Sequence, residues 1–199
     1  SGTAVSSSFP QKTAISGSIE GATTVSASLG QLTLANYNGG FGAANNTIFG
    51  KSAGGALTIG TGNTIIGASA GDALTTMTDN VAIGLNALGG SSLVDATVVI
   101  GSGAGAGAME ATADGTVAIG YSAGAAITSG ANNLAVGKNA GKAITTGDLN
   151  LFIGVDAGGA HTTGDQNIAI GAGAMGDTDA GNTSCLLYTS PSPRDRTRS

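Results

Sequence analysis

Apolar triplets recur along this chain at a fixed beat, each closed by a glycine. The glycines fall at Gly50, Gly67, Gly84, Gly101, Gly120, Gly137, Gly154 and Gly171, so the steps are 17, 17, 17, 19, 17, 17 and 17 residues. The residue before the glycine is Phe49, Ile66, Ile83, Ile100, Ile119, Val136, Ile153 or Ile170. Two residues earlier stand Thr47, Thr64, Val81, Val98, Val117, Leu134, Leu151 and Ile168, and between the two sets lie Ile48, Ile65, Ala82, Val99, Ala118, Ala135, Phe152 and Ala169. Side chains alternate along a strand, so each triplet predicts a short strand that is apolar on both faces. A period this short, with one apolar run per copy, predicts a solenoid whose coils are stable only when stacked. Counted from the polar residue that opens each triplet, the coils are 1 (46–62), 2 (63–79), 3 (80–96), 4 (97–115), 5 (116–132), 6 (133–149), 7 (150–166) and 8 (167–183).

The two flanking positions of the triplet are assigned to the interior and the middle one to the outside. A strand apolar on both faces wants cover on both, which predicts that several chains associate along the outer face. The opening residue is Asn46, Asn63, Asn80, Asn133, Asn150 or Asn167, with Thr97 and Thr116 in coils 4 and 5. Asparagine suits either a turn or a stacked amide ladder. Alanine stands three residues after every marker glycine, from Ala53 to Ala174, and glycine follows it except at Leu88 and Met175. Such small residues predict a corner with room for no more than a methyl group. A second strand is expected at Ala56–Thr58, Ala73–Thr75, Ala126–Thr128 and Ala143–Thr145, with Gly130, Gly147 and Gly164 turning the chain back. The expected fold is therefore all-β, a parallel β-roll or β-solenoid with 17-residue coils rising to about 40 Å.

Composition narrows the reading. Of 199 residues 36 are glycine and 4% are aromatic, which fits small side chains packed around many turns. Residues 1–38 follow a different, ten-residue beat in which Val5, Ile15 and Val25 align, as do Phe9, Ile19 and Leu29. This Ser/Thr-rich stretch reads as a thin fibrous shaft or a linker, joined to the coils by the glycine-rich segment 39–45. Residues 185–199 break the pattern; Cys-Leu-Leu-Tyr-Thr-Ser-Pro-Ser-Pro-Arg-Asp resembles one reading frame of a transposase-type sequencing adapter and is set apart as a non-native tail. The chain is read as a fragment at both ends. Without that tail, which holds three of seven basic and one of twelve acidic residues, the net charge is −7. Such an acidic chain, with no basic cluster, argues against nucleic acid. No apolar run approaches a bilayer's thickness, so membrane insertion is not expected of it.

The unit Asn133-Leu134-Ala135-Val136-Gly137-Lys138-Asn139-Ala140-Gly141-Lys142-Ala143-Ile144-Thr145-Thr146-Gly147 resembles the head repeats of YadA-like trimeric autotransporter adhesins, and is similar to repeats of virus tail-fibre proteins. The resemblance spans Asn46 to about Thr183. It implies a left-handed parallel β-roll that trimerises into a rod, so the expected partner is a second and third copy of the chain.

Candidate chemistry is sparse. Gly171-Ala172-Gly173-Ala174-Met175-Gly176 is formally G-x-G-x-x-G, but it continues the repeat without a crossover helix or an acidic ribose partner. Lys51 and Lys142 lack the upstream glycine of a phosphate-binding loop. Gly39-Gly40-Phe41-Gly42-Ala43-Ala44 begins like a calcium-binding nonapeptide, with alanine where the aspartate ligand belongs. His161 fills a slot held elsewhere by Leu57, Leu74, Ile127 and Ile144, which points to a structural role. Asp148 and Asp165 read as solvated turn caps. If any coil holds a carboxylate site it is the fourth, where two extra residues enter near Met109 and Glu110 beside Asp95 and Asp114. No catalytic, cofactor-binding or metal-ligating residue is assigned, and no cofactor is expected.

The sequence therefore points to a non-enzymatic fibre on a virion or bacterial surface that spaces or presents a tip for a host-cell receptor or glycan. Rival readings are a trimeric autotransporter head binding host matrix, an ice-binding face built from Thr75, Thr128, Thr145 and Thr162, and a tailspike glycosidase. The last lacks a carboxylate pair.

Overall fold

The computed structural model describes residues 45–91 and 93–176 together with the strand Cys185–Leu187. The shaft or linker expected at 1–38, the linker at 39–45 except its last residue, and residues 188–199 of the tail lie outside the described residues.

The chain is a parallel β-solenoid. Strands β1 (Thr47–Phe49), β2 (Thr64–Ile66), β3 (Val81–Ile83), β4 (Val98–Ile100), β5 (Val117–Ile119), β6 (Leu134–Val136), β7 (Leu151–Ile153) and β8 (Ile168–Ile170) form one sheet in sequence order. Each triplet pairs in register with the next, Thr47 on Thr64, Val98 on Val117, Ile153 on Ile170. A ninth strand, β9 (Cys185–Leu187), continues the ladder with Cys185 opposite Ile168. This rung comes from the segment after residue 184 that the repeat pattern does not cover. Cys185 lies 17 residues beyond Ile168, and main-chain pairing extends although Ser184 and Tyr188 stand where asparagine and glycine otherwise recur.

Two expectations are corrected. The inside of the coil takes the middle residue of the triplet, not its flanks: Ile65, Ala82, Val99, Ala118, Ala135, Phe152 and Ala169 are buried, whereas the flanks are half-buried or exposed. The physical reason lies in the neighbours. The opening Asn or Thr is itself buried, so alternation turns the next residue outward and the middle one inward. Nor is there a second strand at Ala56–Thr58 or its equivalents, because left-handed residues bracket that stretch. Isolated main-chain bonds join the coils there instead, such as Thr58 N to Thr75 O at 2.8 Å and Thr145 N to Thr162 O at 2.8 Å.

Left-handed backbone recurs in columns. One runs through Ser52, Ser69, Asn86, Ser122, Asn139 and Asp156, another through Asp79, Ala96, Asn132, Leu149 and Gln166. The second column makes the return turn, two residues beyond Gly130, Gly147 and Gly164. Those glycines are needed for close approach rather than for turning, since a Cβ on Gly147 would sit 2.3 Å from the carbonyl oxygen of Gly164.

The core is assembled from small columns that trade volume. In coil 7 Phe152 is accommodated by Gly158 and by Gly141 of the coil before, with His161 beside it; in coil 3 Ala82 and Ser91 are small, and Leu88 and Val94 fill the space. All four buried positions of a coil thus share one volume. The alanine corner is as expected, with Ala70, Ala87, Ala104, Ala123, Ala140, Ala157 and Ala174 wholly buried.

Candidate functional site: the outer strand face and its ladders

Every coil presents two outward side chains from its strand. In coils 3 to 7 these are Val81 and Ile83, Val98 and Ile100, Val117 and Ile119, Leu134 and Val136, Leu151 and Ile153. In-register pairing stacks like on like, so these five coils present a continuous aliphatic band about 10 Å wide and about 20 Å long. Just beyond the marker glycine a further column adds exposed apolar groups in alternate coils, Leu85, Tyr121 and Val155, at 53%, 59% and 47% exposure. At the first rung Phe49 is 56% exposed. A band of about 200 Å² is one that water-soluble monomers also leave uncovered, so its mark is regularity rather than area.

Two side-chain ladders hold the band straight. In the first, a buried asparagine closes its own coil and receives the next. Asn150 donates from Nδ2 to Gly164 O at 2.8 Å, while its Oδ1 accepts the backbone amide of Asn167 at 2.9 Å and the Asn167 Nδ2 at 3.1 Å. Asn46, Asn63 and Asn133 repeat this geometry, so the amide ladder is the role these residues play. In the second, aspartates at the return turn accept the main-chain N–H of the preceding coil: Asp95 from Thr78 at 2.6 Å, Asp114 from Asp95 at 2.8 Å, Asp148 from Ala131 at 2.7 Å and Asp165 from Asp148 at 2.8 Å. The carboxylates of Asp95, Asp114, Asp148 and Asp165 are thus engaged along the stack by backbone amides.

The remaining candidates disperse. Met109 enters the core, Glu110 is exposed, and the extra residues of coil 4 form a 3-10 turn at Ala111–Ala113 with Ala113 buried. His161 is wholly buried, edge-on to Phe152, with Nε2 within 2.9 Å of Gly164 O and 3.0 Å of Asn167 Nδ2. Lys51 is exposed, and Lys142 makes a half-exposed ion pair with Asp156 at 3.6 Å, a contact of little energetic weight. Gly171–Gly176 is the corner of coil 8. The threonine hydroxyls of the ice-binding reading are engaged within the stack, Thr128 Oγ1 donating to Thr145 O at 3.1 Å and Thr145 Oγ1 to Thr162 O at 3.0 Å. Among the described residues no three His, Cys, Asp or Glu side chains gather as a metal site, and no helix is long and apolar enough to cross a membrane.

No family model, curated protein or solved structure matches this chain. Among the described residues the outer strand face and its two side-chain ladders are the features that recur from coil to coil. Sequence reasoning missed the column of Leu85, Tyr121 and Val155, which lies outside the apolar triplets and is apolar only in alternate coils from 3 to 7.

Proposed function

We propose that this chain is a segment of a structural fibre of the virus tail-fibre kind, carried on a virion or cell surface, in which three copies associate through their outer strand faces. The observation that supports this reading is the unbroken band of Val, Ile and Leu pairs from Val81 to Ile153, which points away from the chain's own core. Identical residues recur at the strand spacing, so sister chains aligned in parallel meet like with like along the whole length. Rigidity then grows with copy number, because each coil adds a set of main-chain bonds to its neighbour. The fibre's task in this reading is mechanical: to hold a tip for a host receptor or glycan at a fixed distance.

The test is sedimentation velocity and electron microscopy of the chain, alongside the double variant Ile100→Lys, Ile119→Lys. The parent is expected to sediment as a trimer and to image as short rods. The variant is expected to be monomeric with an unchanged far-ultraviolet spectrum. A parent that stays monomeric at tens of micromolar would sink the proposal.

A further inference from the structure

The two side-chain ladders fail at the same place. Numbering junctions by the coils they join, the amide ladder crosses 1/2 and 2/3, reaches Thr97 at 3/4, and resumes at 6/7 and 7/8. Threonine lacks an acceptor that reaches the next coil as the asparagine Oδ1 does, so Thr97 and Thr116 leave the amides of Thr116 and Asn133 outside the ladder. The aspartate ladder crosses 2/3, 3/4, 5/6 and 6/7, but Ala131 offers Asp114 no carboxylate. At 5/6 the Asp148 link and the Thr128 hydroxyl remain. At 4/5 nothing remains: among the described residues, no side-chain hydrogen bond crosses from coil 4 to coil 5.

The main chain, by contrast, is continuous there. Val98 N binds Thr116 O, Gly105 N binds Ala123 O, Glu110 N binds Thr128 O, Gly120 N binds Ile100 O, Ser122 N binds Ser102 O and Asn132 N binds Asp114 O, all between 2.7 and 3.1 Å. Junction 6/7 has the corresponding main-chain bonds from Leu134, Gly141, Thr145, Gly154, Asp156 and Gln166. It adds Asn150 to Asn133, Asp148 to Asp165, Thr145 to Thr162 and Asn139 to Asp156. The two junctions differ in their side-chain ties alone. The irregular coil, with its 3-10 turn at Ala111–Ala113, lies on one side of the untied junction.

We propose that junction 4/5 is a built-in joint: the solenoid consists of two side-chain-laddered blocks, coils 1 to 4 and coils 5 to 8, that part here before either block opens internally. In a stack where each coil touches only its neighbours, the least-tied internal interface sets where partial opening concentrates. A fibre with such a joint yields at one defined level. The inference concerns bonds within one chain and does not rest on the trimer.

The experiment is hydrogen exchange on the full chain, resolved to single amides by NMR or electron-transfer fragmentation. The amides of Val98, Gly105, Gly120, Ser122 and Asn132 are expected to exchange as a group at least about tenfold faster than those of Leu134, Gly141, Gly154, Asp156 and Gln166, a factor that one or two of the five side-chain bonds of junction 6/7 suffice to give. The variant Thr97→Asn, Ala131→Asn supplies both ladder acceptors without adding charge, and is expected to slow the first group toward the second. Equal protection at 4/5 and 6/7 in the parent chain overturns the proposal by itself, whether or not the variant folds. So does a fast parent group that the correctly folded variant leaves unchanged.

Discussion

Phe152 and His161 meet edge to face inside coil 7, ring centroids 5.4 Å apart and planes inclined at 69°. Phe152 is the bulkiest of the fully buried side chains, at a position that is alanine in four other coils. It fits because the coil has glycine at 158: a Cβ there would lie 2.7 Å from the ring. Coil 3 solves the same volume the other way, with Ala82 at the strand and Leu88 at the corner.

This exchange predicts a paired substitution. Phe152→Ala is expected to cost about 3–5 kcal/mol, the range for emptying a large aromatic site that cannot collapse. Adding Gly158→Leu, which copies coil 3, is expected to recover roughly half, the remainder reflecting the left-handed backbone a leucine must adopt there, about 1–2 kcal/mol. Gly158→Leu alone is expected to be worse than the pair. Denaturant midpoints of the four proteins check it, and strictly additive effects would contradict the shared-volume account.

The marker glycines predict a sharp contrast within one residue type. Gly120 has φ +135°, and a Cβ on it would sit 2.4 Å from the carbonyl oxygen of Gly137 in the next coil. Backbone meets backbone there, with no flexible side chain to give way. Gly120→Ala is therefore expected to lower stability by more than about 3 kcal/mol or to prevent folding. Gly173 has φ +70° but nothing within 4 Å of its Cβ, so Gly173→Ala is expected to cost only about 1 kcal/mol. Thermal melts followed by circular dichroism separate the two.

How far the fold was legible follows from these same residues. The glycine column was readable because each copy is forced by the next, and its spacing alone gives the parallel ladder. Which face turns inward was not, because both faces are apolar and the pattern has no polar side to mark water. The signal that decides it is compensation within the chain: Ile48, Ala82 and Phe152 vary in size at one position while Leu88, Ser91, Gly158 and His161 vary in answer, as only neighbours inside a filled core must. The bulge of coil 4 stands out for its carboxylates, yet Asp95 and Asp114 belong to a ladder that ties coils 2, 3 and 4 together. A one-dimensional list hides that, since the partners lie 17 or 19 residues apart.

The amide ladder supplies the last prediction. Asn150 donates from its backbone and side chain to Asn133 Oδ1, donates to Gly164 O, and accepts from both nitrogens of Asn167. Asn150→Ala removes the bonds made by the side chain and leaves the buried Asn167 amide without that acceptor, at about 2–4 kcal/mol by the cost of unsatisfied buried groups. Asn150→Thr keeps a hydroxyl able to reach Asn133 Oδ1, as Thr97 does to Asn80 Oδ1 at 2.7 Å, so it is expected to cost about half as much. It also adds a second weak point: junction 7/8 loses the Asn150 acceptor for Asn167, and the amides of coil 8 are expected to lose protection ahead of those of coil 6. Chemical denaturation ranks the variants and hydrogen exchange locates the change. Equal costs for alanine and threonine would show that the asparagines act through shape alone, and the laddered account of this solenoid would then fail.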